Sequence, residues 1–162
     1  RALADADLPW LRDLYATTRA EEMAPVPWPE AAKRTFLDQQ FALQHNHYLA
    51  AFGDSDFLAI EGDGAPLGRL YLQRTAGEHP GEHLIVDIAL FPQARGTGIG
   101  SALIAEAQAR AAADGCGLRL HVMATNPAAQ RLYERLGFML VPEGGTPTHR
   151  LMRWSVGNPA PA

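Results

Sequence analysis

Cysteine is nearly absent: Cys116 is the single thiol in 162 residues. That excludes an internal disulfide framework and a four-cysteine zinc site, and it leaves Cys116, just after Gly115 at an expected helix end, as an inert residue. Long apolar runs are missing too, for no stretch approaches the roughly 18 residues that a membrane-spanning helix needs. Arg1 to Asp7 contain no apolar segment of the kind a secretory leader carries, so a cytoplasmic protein with no membrane partner is expected. Nor is there an excess of positive charge. With 14 Lys plus Arg against 18 Asp plus Glu, the net charge is −4 with histidine neutral, the wrong sign for a nucleic-acid footprint. What is present is a chain with 47% apolar residues and no internal repeat, low-complexity tract or linker. At this length one domain buries about 70% of its unfolded surface and needs no covalent or metal staple. Residues 1–156 read as that domain, and 157–162, rich in Gly and Pro, as a flexible tail.

Apolar spacing predicts a first helix after Asp7, with Asp7 as N-cap, Pro9 in the first turn, and Leu8, Leu11, Leu14 and Tyr15 inward. It should stop before Pro25-Val26-Pro27-Trp28-Pro29. A second helix is expected over about 29–46, with Ala32, Phe36, Leu37 and Phe41 on its inner face. The period then shortens. Phe57–Ile60 and Leu67–Gln73 read as strands joined at Asp63-Gly64, a dipeptide that favours a hairpin turn. After a turn over Gly77 to Gly81, Leu84–Phe91 is almost wholly apolar, as a central strand buried on both faces would be, and Pro92 stops it. A helix over 98–114 with Ile99, Leu103, Ile104 and Ala107 inward closes at Gly115. A strand over 118–122, a short helix over 127–136 ended by Gly137, and strands over 138–141 and 148–154 complete the order ααβββαβαββ. That order belongs to a mixed α/β sheet.

The most informative stretch is Arg95-Gly96-Thr97-Gly98-Ile99-Gly100-Ser101, between the central strand and the long helix. A helix N-terminus offers unpaired N–H groups and the positive end of the dipole, and glycines let an anion approach them. The same glycines also suit a plain tight turn. A P-loop needs a Lys that is not here, and a dinucleotide fingerprint needs an acidic residue that the strand Leu118-Arg119-Leu120-His121-Val122 lacks. What fits is Arg-x-x-Gly-x-Gly after a strand ending Leu90-Phe91-Pro92. This resembles the coenzyme-A-binding motif of the GNAT superfamily of N-acetyltransferases. Asn126-Pro127-Ala128-Ala129-Gln130-Arg131-Leu132-Tyr133-Glu134-Arg135-Leu136-Gly137-Phe138, about 30 residues on, is similar to a second segment of that family, Asn-x-x-Ala-x-x-x-Tyr-x-x-x-Gly-Phe. The element order agrees except that the family's first strand is largely missing, with Arg1 as its remnant.

The resemblance implies a single-domain α/β (α+β) acetyltransferase fold: a central mixed, largely antiparallel sheet, with a splayed central strand pair, flanked by helices. It implies transfer of an acetyl group from acetyl-CoA to the amine of a small molecule or peptide. The competing reading is a non-catalytic acetyl-CoA sensor on the same fold. On the family pattern, Leu90 supplies backbone groups to the pantetheine and the thioester, and its N–H stabilises the oxyanion. Arg95, Gly96, Thr97, Gly98, Ile99 and Gly100, with the N–H groups up to Ser101, hold the pyrophosphate, and Asn126 hydrogen-bonds the pantetheine arm. Tyr133 is either a proton donor to the leaving thiolate, as the motif implies, or a packing residue of a short helix. A phenol of pKa about 10 stays protonated at neutral pH and can donate. A homodimer through an exposed strand is compatible with this fold.

The proton acceptor stays open. Asp87 interrupts an apolar strand, either as a base or as a structural hydrogen-bond partner, because a buried carboxylate is costly unless paired. Glu82 and His83 read as bases or as solvated residues at the strand start, and His121 as a base or a core histidine. Glu21, Glu22 and Trp28 mark a region that could receive a cationic amine, or an ordinary acidic turn. Ser101 lies outside a nucleophile elbow. The pairs His45 with His47 and His79 with His83 lack further ligands at zinc spacing, and no metal is expected.

Overall fold

In the computed structural model, residues 1–74 and 81–157 are described; His79 and most of the expected turn over 77–81 lie outside them. Asp63 (φ 51°) and Gly64 (φ 76°) both take left-handed backbone, the pair of conformations a type I′ turn requires, and they join β1 (Asp56–Gly62) to β2 (Ala65–Gln73). β3 (Glu82–Leu90) lies antiparallel to β2, and β4 (Gly117–Met123) parallel to β3. β5 (Met139–Gly145) and β6 (His149–Trp154) form a second hairpin, with β6 antiparallel to β4. The six strands lie in the order β1-β2-β3-β4-β6-β5. Among the described strands only the β3–β4 contact is parallel, so the sheet is mixed and largely antiparallel.

The helices divide between the two faces. α4 (Ile99–Ala113) and α5 (Pro127–Arg135) cover one face, where Ile104, Ala107, Ala111, Leu118, Leu120, Phe138 and Met152 form the main core. α1 (Leu8–Thr18), the one-turn α2 (Ala20–Met23) and α3 (Glu30–Ala51) build a second cluster from Leu11, Tyr15, Met23, Leu37 and Phe41. α3 runs five residues past the expected end, because nothing breaks it before Gly53. Ala32, expected inward, is exposed, and Phe36 is only half-buried. α4 has Gly98 as its left-handed N-cap and Gly115 (φ 67°) just past its end, within one residue of the bounds the sequence indicates.

Two expectations about the start of the chain change. Asp7 precedes α1 but does not cap it. Its carboxylate accepts from both Arg1 guanidinium NH2 groups, the Ala4 N–H and the Trp10 indole, all at 2.8 Å. Those donors hold the Asp7 carboxyl well below the usual range. The missing first strand survives as a short antiparallel pairing: Ala59 N–H donates to Arg1 O (2.8 Å) and Leu3 N–H to Phe57 O (2.9 Å).

No helix among the described residues is long and apolar enough to cross a membrane. Among them, no three His, Cys, Asp or Glu side chains come together to hold a metal.

Candidate functional site

The site begins with a strand that loses a neighbour. β3 pairs with β4 from Glu82 opposite Gly117 to Ile85 opposite Leu120, and there the pairing ends. Val86–Leu90 therefore have β2 on one side and an open gap on the other. Burial follows: His83, Leu84 and Ile85 are buried, whereas Val86 to Leu90 are all half-buried, so the expectation of a strand covered on both faces holds only for its first half. Phe91 N–H donates to Leu67 O across to β2 (2.8 Å). Antiparallel ladders alternate, so the N–H and C=O of Leu90 point the other way, into the gap. Gly68 faces Leu90 in the narrow pair, where an added Cβ would lie 2.2 Å from Ala89 O. Only glycine permits β2 so close at this level.

A second irregularity lies just below. Tyr71 pairs with Asp87 but Leu72 with Ile85, so Val86 is an extra residue, a β-bulge. The bulge breaks the alternation of β3. Val86 and Asp87 thereby both face the α3 side, and the apolar run Leu84-Ile85-Val86 hides the shift.

Beyond Leu90 the chain turns through a single 3-10 turn, Pro92–Ala94, into the glycines. Gly96 (φ 70°) and Gly98 (φ 89°) are left-handed, and nothing lies within 4 Å of where their Cβ atoms would be. The turn thus needs glycine for its backbone and also leaves clear space in front of it. The first backbone bond of α4 runs from Ala102 N–H to Gly98 O (3.0 Å), leaving the N–H groups of Ile99, Gly100 and Ser101 without backbone acceptors. Gly100 is ordinary helical backbone, its missing Cβ in van der Waals range of Leu90. Thr97 spends its hydroxyl on Ala94 O (2.7 Å). Arg95 does not stand over the glycines: its guanidinium donates to Leu90 O (2.9 Å) and to Thr17 Oγ1 of α1 (3.2 Å), at the mouth of the gap.

α5 follows β4, the strand across the gap, and packs on it. Asn126 Oδ1 caps the helix by accepting from Ala129 N–H (3.1 Å), which leaves its side-chain NH2 unspent. Tyr133 is buried against Phe138, with ring centroids 6.0 Å apart, so it does pack. Among the described residues its hydroxyl has no hydrogen-bond partner. Burial, with a smaller contribution from the Asp87 charge, pushes the phenol up to about 12. An open strand edge and a glycine cradle at a helix N-terminus therefore flank one gap, and the charge of Asp87 on the open half of β3 reaches the Tyr133 phenol.

The family model described as the Acetyltransferase (GNAT) family matches residues 12–138. This chain belongs to the GNAT acetyltransferase family. No curated protein matches its sequence. Among solved structures, the PaiA N-acetyltransferase of Thermoplasma acidophilum in complex with coenzyme A matches 96% of each chain at 20% identity, with a TM-score of 0.68. An acetyltransferase from Thermus thermophilus matches 94% of this chain and 92% of its own at 18% identity and TM-score 0.66. A chimera of the Vibrio cholerae spermidine N-acetyltransferase SpeG with hSSAT matches 96% and 93% at 22% identity and TM-score 0.63. These likenesses carry the fold, including its mixed sheet and flanking helices.

On the α3 side of this GNAT sheet, a cleft of about 380 Å³ opens where β3 and β4 part, lined by His47, Tyr48, Phe52, Val86, Arg119 and His121 among others. His121 is exposed, which removes the core reading; partial burial in the cleft, with Arg119 and His149 nearby, lowers its pKa. Asp87 forms a 2.6 Å ion pair with Arg69, a residue sequence reasoning passed over although an Arg inside an apolar strand was its signal. Glu82 lies at the opposite end of β3 from Leu90, paired with Arg153 at 3.0 Å, and so falls outside the gap. His83 is buried rather than solvated: its Nε2 meets Asp114 Oδ2 at 2.9 Å, and burial lowers its pKa.

The suggested acceptor region is not assembled. Glu22 is bound by Arg19 at 2.6 and 2.7 Å, and Trp28 lies edge-on to Phe36. A hollow of about 270 Å³ between α2 and α3, lined by Met23, Lys33 and Leu37 among others, includes none of Glu21, Glu22 and Trp28.

Proposed function

We propose that this chain transfers an acetyl group from acetyl-CoA to a primary amine of a small molecule or peptide, by direct attack in a ternary complex. The observation that carries this reading is the open edge of β3, with Leu90 N–H and C=O directed into a gap between the glycine cradle and Tyr133. Acetyl-CoA supplies the acyl group and a thiol leaving group. The left-handed glycines and the free N–H groups at the start of α4 suit its pyrophosphate, with the space a Cβ would fill standing clear. Asn126 offers its free NH2 to the pantetheine arm, and Arg95 adds charge once released from Leu90 O.

Chemically, the amine lone pair forms the new C–N bond, and the carbonyl π pair moves to oxygen, where Leu90 N–H donates to it. An interaction of this type contributes on the order of 3 kcal/mol. The C–S bond then breaks, and the Tyr133 hydroxyl gives its proton to the departing sulfur. Asp87, between cleft-lining Tyr48 and Tyr133 (its charge acts on both), takes the proton the amine loses, directly or through a water.

Thermal melting with acetyl-CoA, ATP or NAD, followed by thiol release against a panel of amines, tests the proposal. Stabilisation by acetyl-CoA alone and amine-dependent thiol release are expected. Stabilisation without transfer to any amine would leave a binding module instead of an enzyme.

A further inference from the structure

Arg69 is the most deeply buried cation of the described chain, 2% exposed, on β2 beneath the gap. Its Nε lies 2.6 Å from Asp87 Oδ2, and one terminal nitrogen donates to Gln44 Oε1 of α3 (2.7 Å). The guanidinium also lies 5.1 Å from the centre of the Tyr71 ring. Arg69 faces Ala89 and Tyr71 faces Asp87 in the unbroken part of the register, so the ion pair is a diagonal cross-strand contact on one face, and the Val86 bulge begins just beyond it. The pair is asymmetric: the Arg69 side chain is 3% exposed and that of Asp87 21%. Asp87 Oδ2 has no contact with solvent, so the exposed part of the carboxylate lies away from the guanidinium.

We propose that Arg69 is the positioning residue of Asp87, clamping one carboxylate oxygen from inside the sheet so that the other is held toward the incoming amine. The proposal rests on Asp87 as the proton acceptor. A buried ion pair is a weak source of net stability, because desolvation offsets most of the attraction. Holding a reacting group in one orientation is what such a pair does supply. Burial alone would lower the Arg69 pKa, but Asp87 and the two tyrosines outweigh it, so the clamp stays charged. The titratable and charged groups around the carboxylate are Arg69 and Tyr71 from β2, Tyr48 and His45 from α3, Tyr133 from α5, and Arg119 with His121 from β4 across the cleft.

The test is the pH profile of kcat/KM in the full chain carrying Arg69→Gln, Arg69→Lys or Asp87→Asn. A guanidinium favours the charged carboxylate, so its loss moves the acidic limb upward, by about one pH unit or more in Arg69→Gln. Arg69→Lys keeps the charge and loses the fixed reach. Its limb stays in place while kcat falls about tenfold at unchanged KM for acetyl-CoA. An unmoved limb in Arg69→Gln overturns the proposal. Should that variant not fold, full turnover by Arg69→Lys overturns it as well. Asp87→Asn separates the two levels: a retained limb there removes Asp87 as the base, whereas a limb lost there but unmoved in Arg69→Gln removes the role of Arg69 alone.

Discussion

Glu82–Ile85 and Val86–Leu90 are consecutive halves of one strand, built from similar apolar residues and sharing β2 as neighbour. The first half also pairs with β4; its polar side chains are engaged in the Glu82–Arg153 and His83–Asp114 contacts, and its apolar side chains are buried. The second half has lost that partner, carries a bulge, and turns Leu90 N–H toward the open gap, with Leu90 C=O met there by Arg95 instead of a strand. On the proposed function, chemistry belongs where the pairing stops. A backbone donor saturated by a neighbouring strand cannot serve a reacting carbonyl, and one left free in a sheltered gap can.

Substitutions along the strand and around its gap can break that comparison. The largest effect is expected for Asp87→Asn in the open half: kcat/KM at neutral pH falls about a hundredfold, with loss of the acidic limb. Next comes Gly98→Val, which forces a β-branched residue into φ 89° and fills the cradle. The KM for acetyl-CoA rises tenfold or more, on the order of 1.4 kcal/mol of lost binding, with kcat changed far less. Tyr133→Phe lowers kcat about tenfold or more with little change in that KM. Because the phenol is pushed up to about 12, it remains protonated well above neutral pH, so a basic limb at pH 8–9 would survive Tyr133→Phe unshifted. The smallest effect belongs to the paired half. Glu82→Gln loses the Arg153 contact and leaves turnover unchanged, and a tenfold fall in kcat there would erase the distinction between the halves.

Much of the architecture was legible because its causes are local. Asp63-Gly64 and Gly115 fall where the backbone goes left-handed, and the apolar periods locate every strand and the principal helices. The glycine turn was legible for the same reason: alternate positive φ values have a residue-level signature. What stayed hidden depends on partners. Asp7 has the look of a cap, yet Arg1 and Trp10 compete for its carboxylate. The bulge leaves no mark in Leu84-Ile85-Val86, since three apolar residues read alike in either register. Arg69 and Asp87 each stood out as a charge in an apolar strand, but only the cross-strand register makes them a pair. His121 was ambiguous because its exposure is a tertiary fact, set by the cleft that opens where β3 and β4 part.

The parallel seam between β3 and β4 has a mechanical consequence. Two half-sheets, β1-β2-β3 and β4-β6-β5, are sewn together in the backbone by four residue pairs, against six pairs between β4 and β6. The β5–β6 hairpin at the sheet edge also has four, so the seam is the thinnest pairing in the sheet interior, and a ligand lying along Leu90 while touching α5 would act as a fifth stitch. Binding energy at the gap would thereby be converted into stiffness across the sheet, and amides of Gly117–Met123 would report occupancy through slower hydrogen exchange although none of them need touch the ligand.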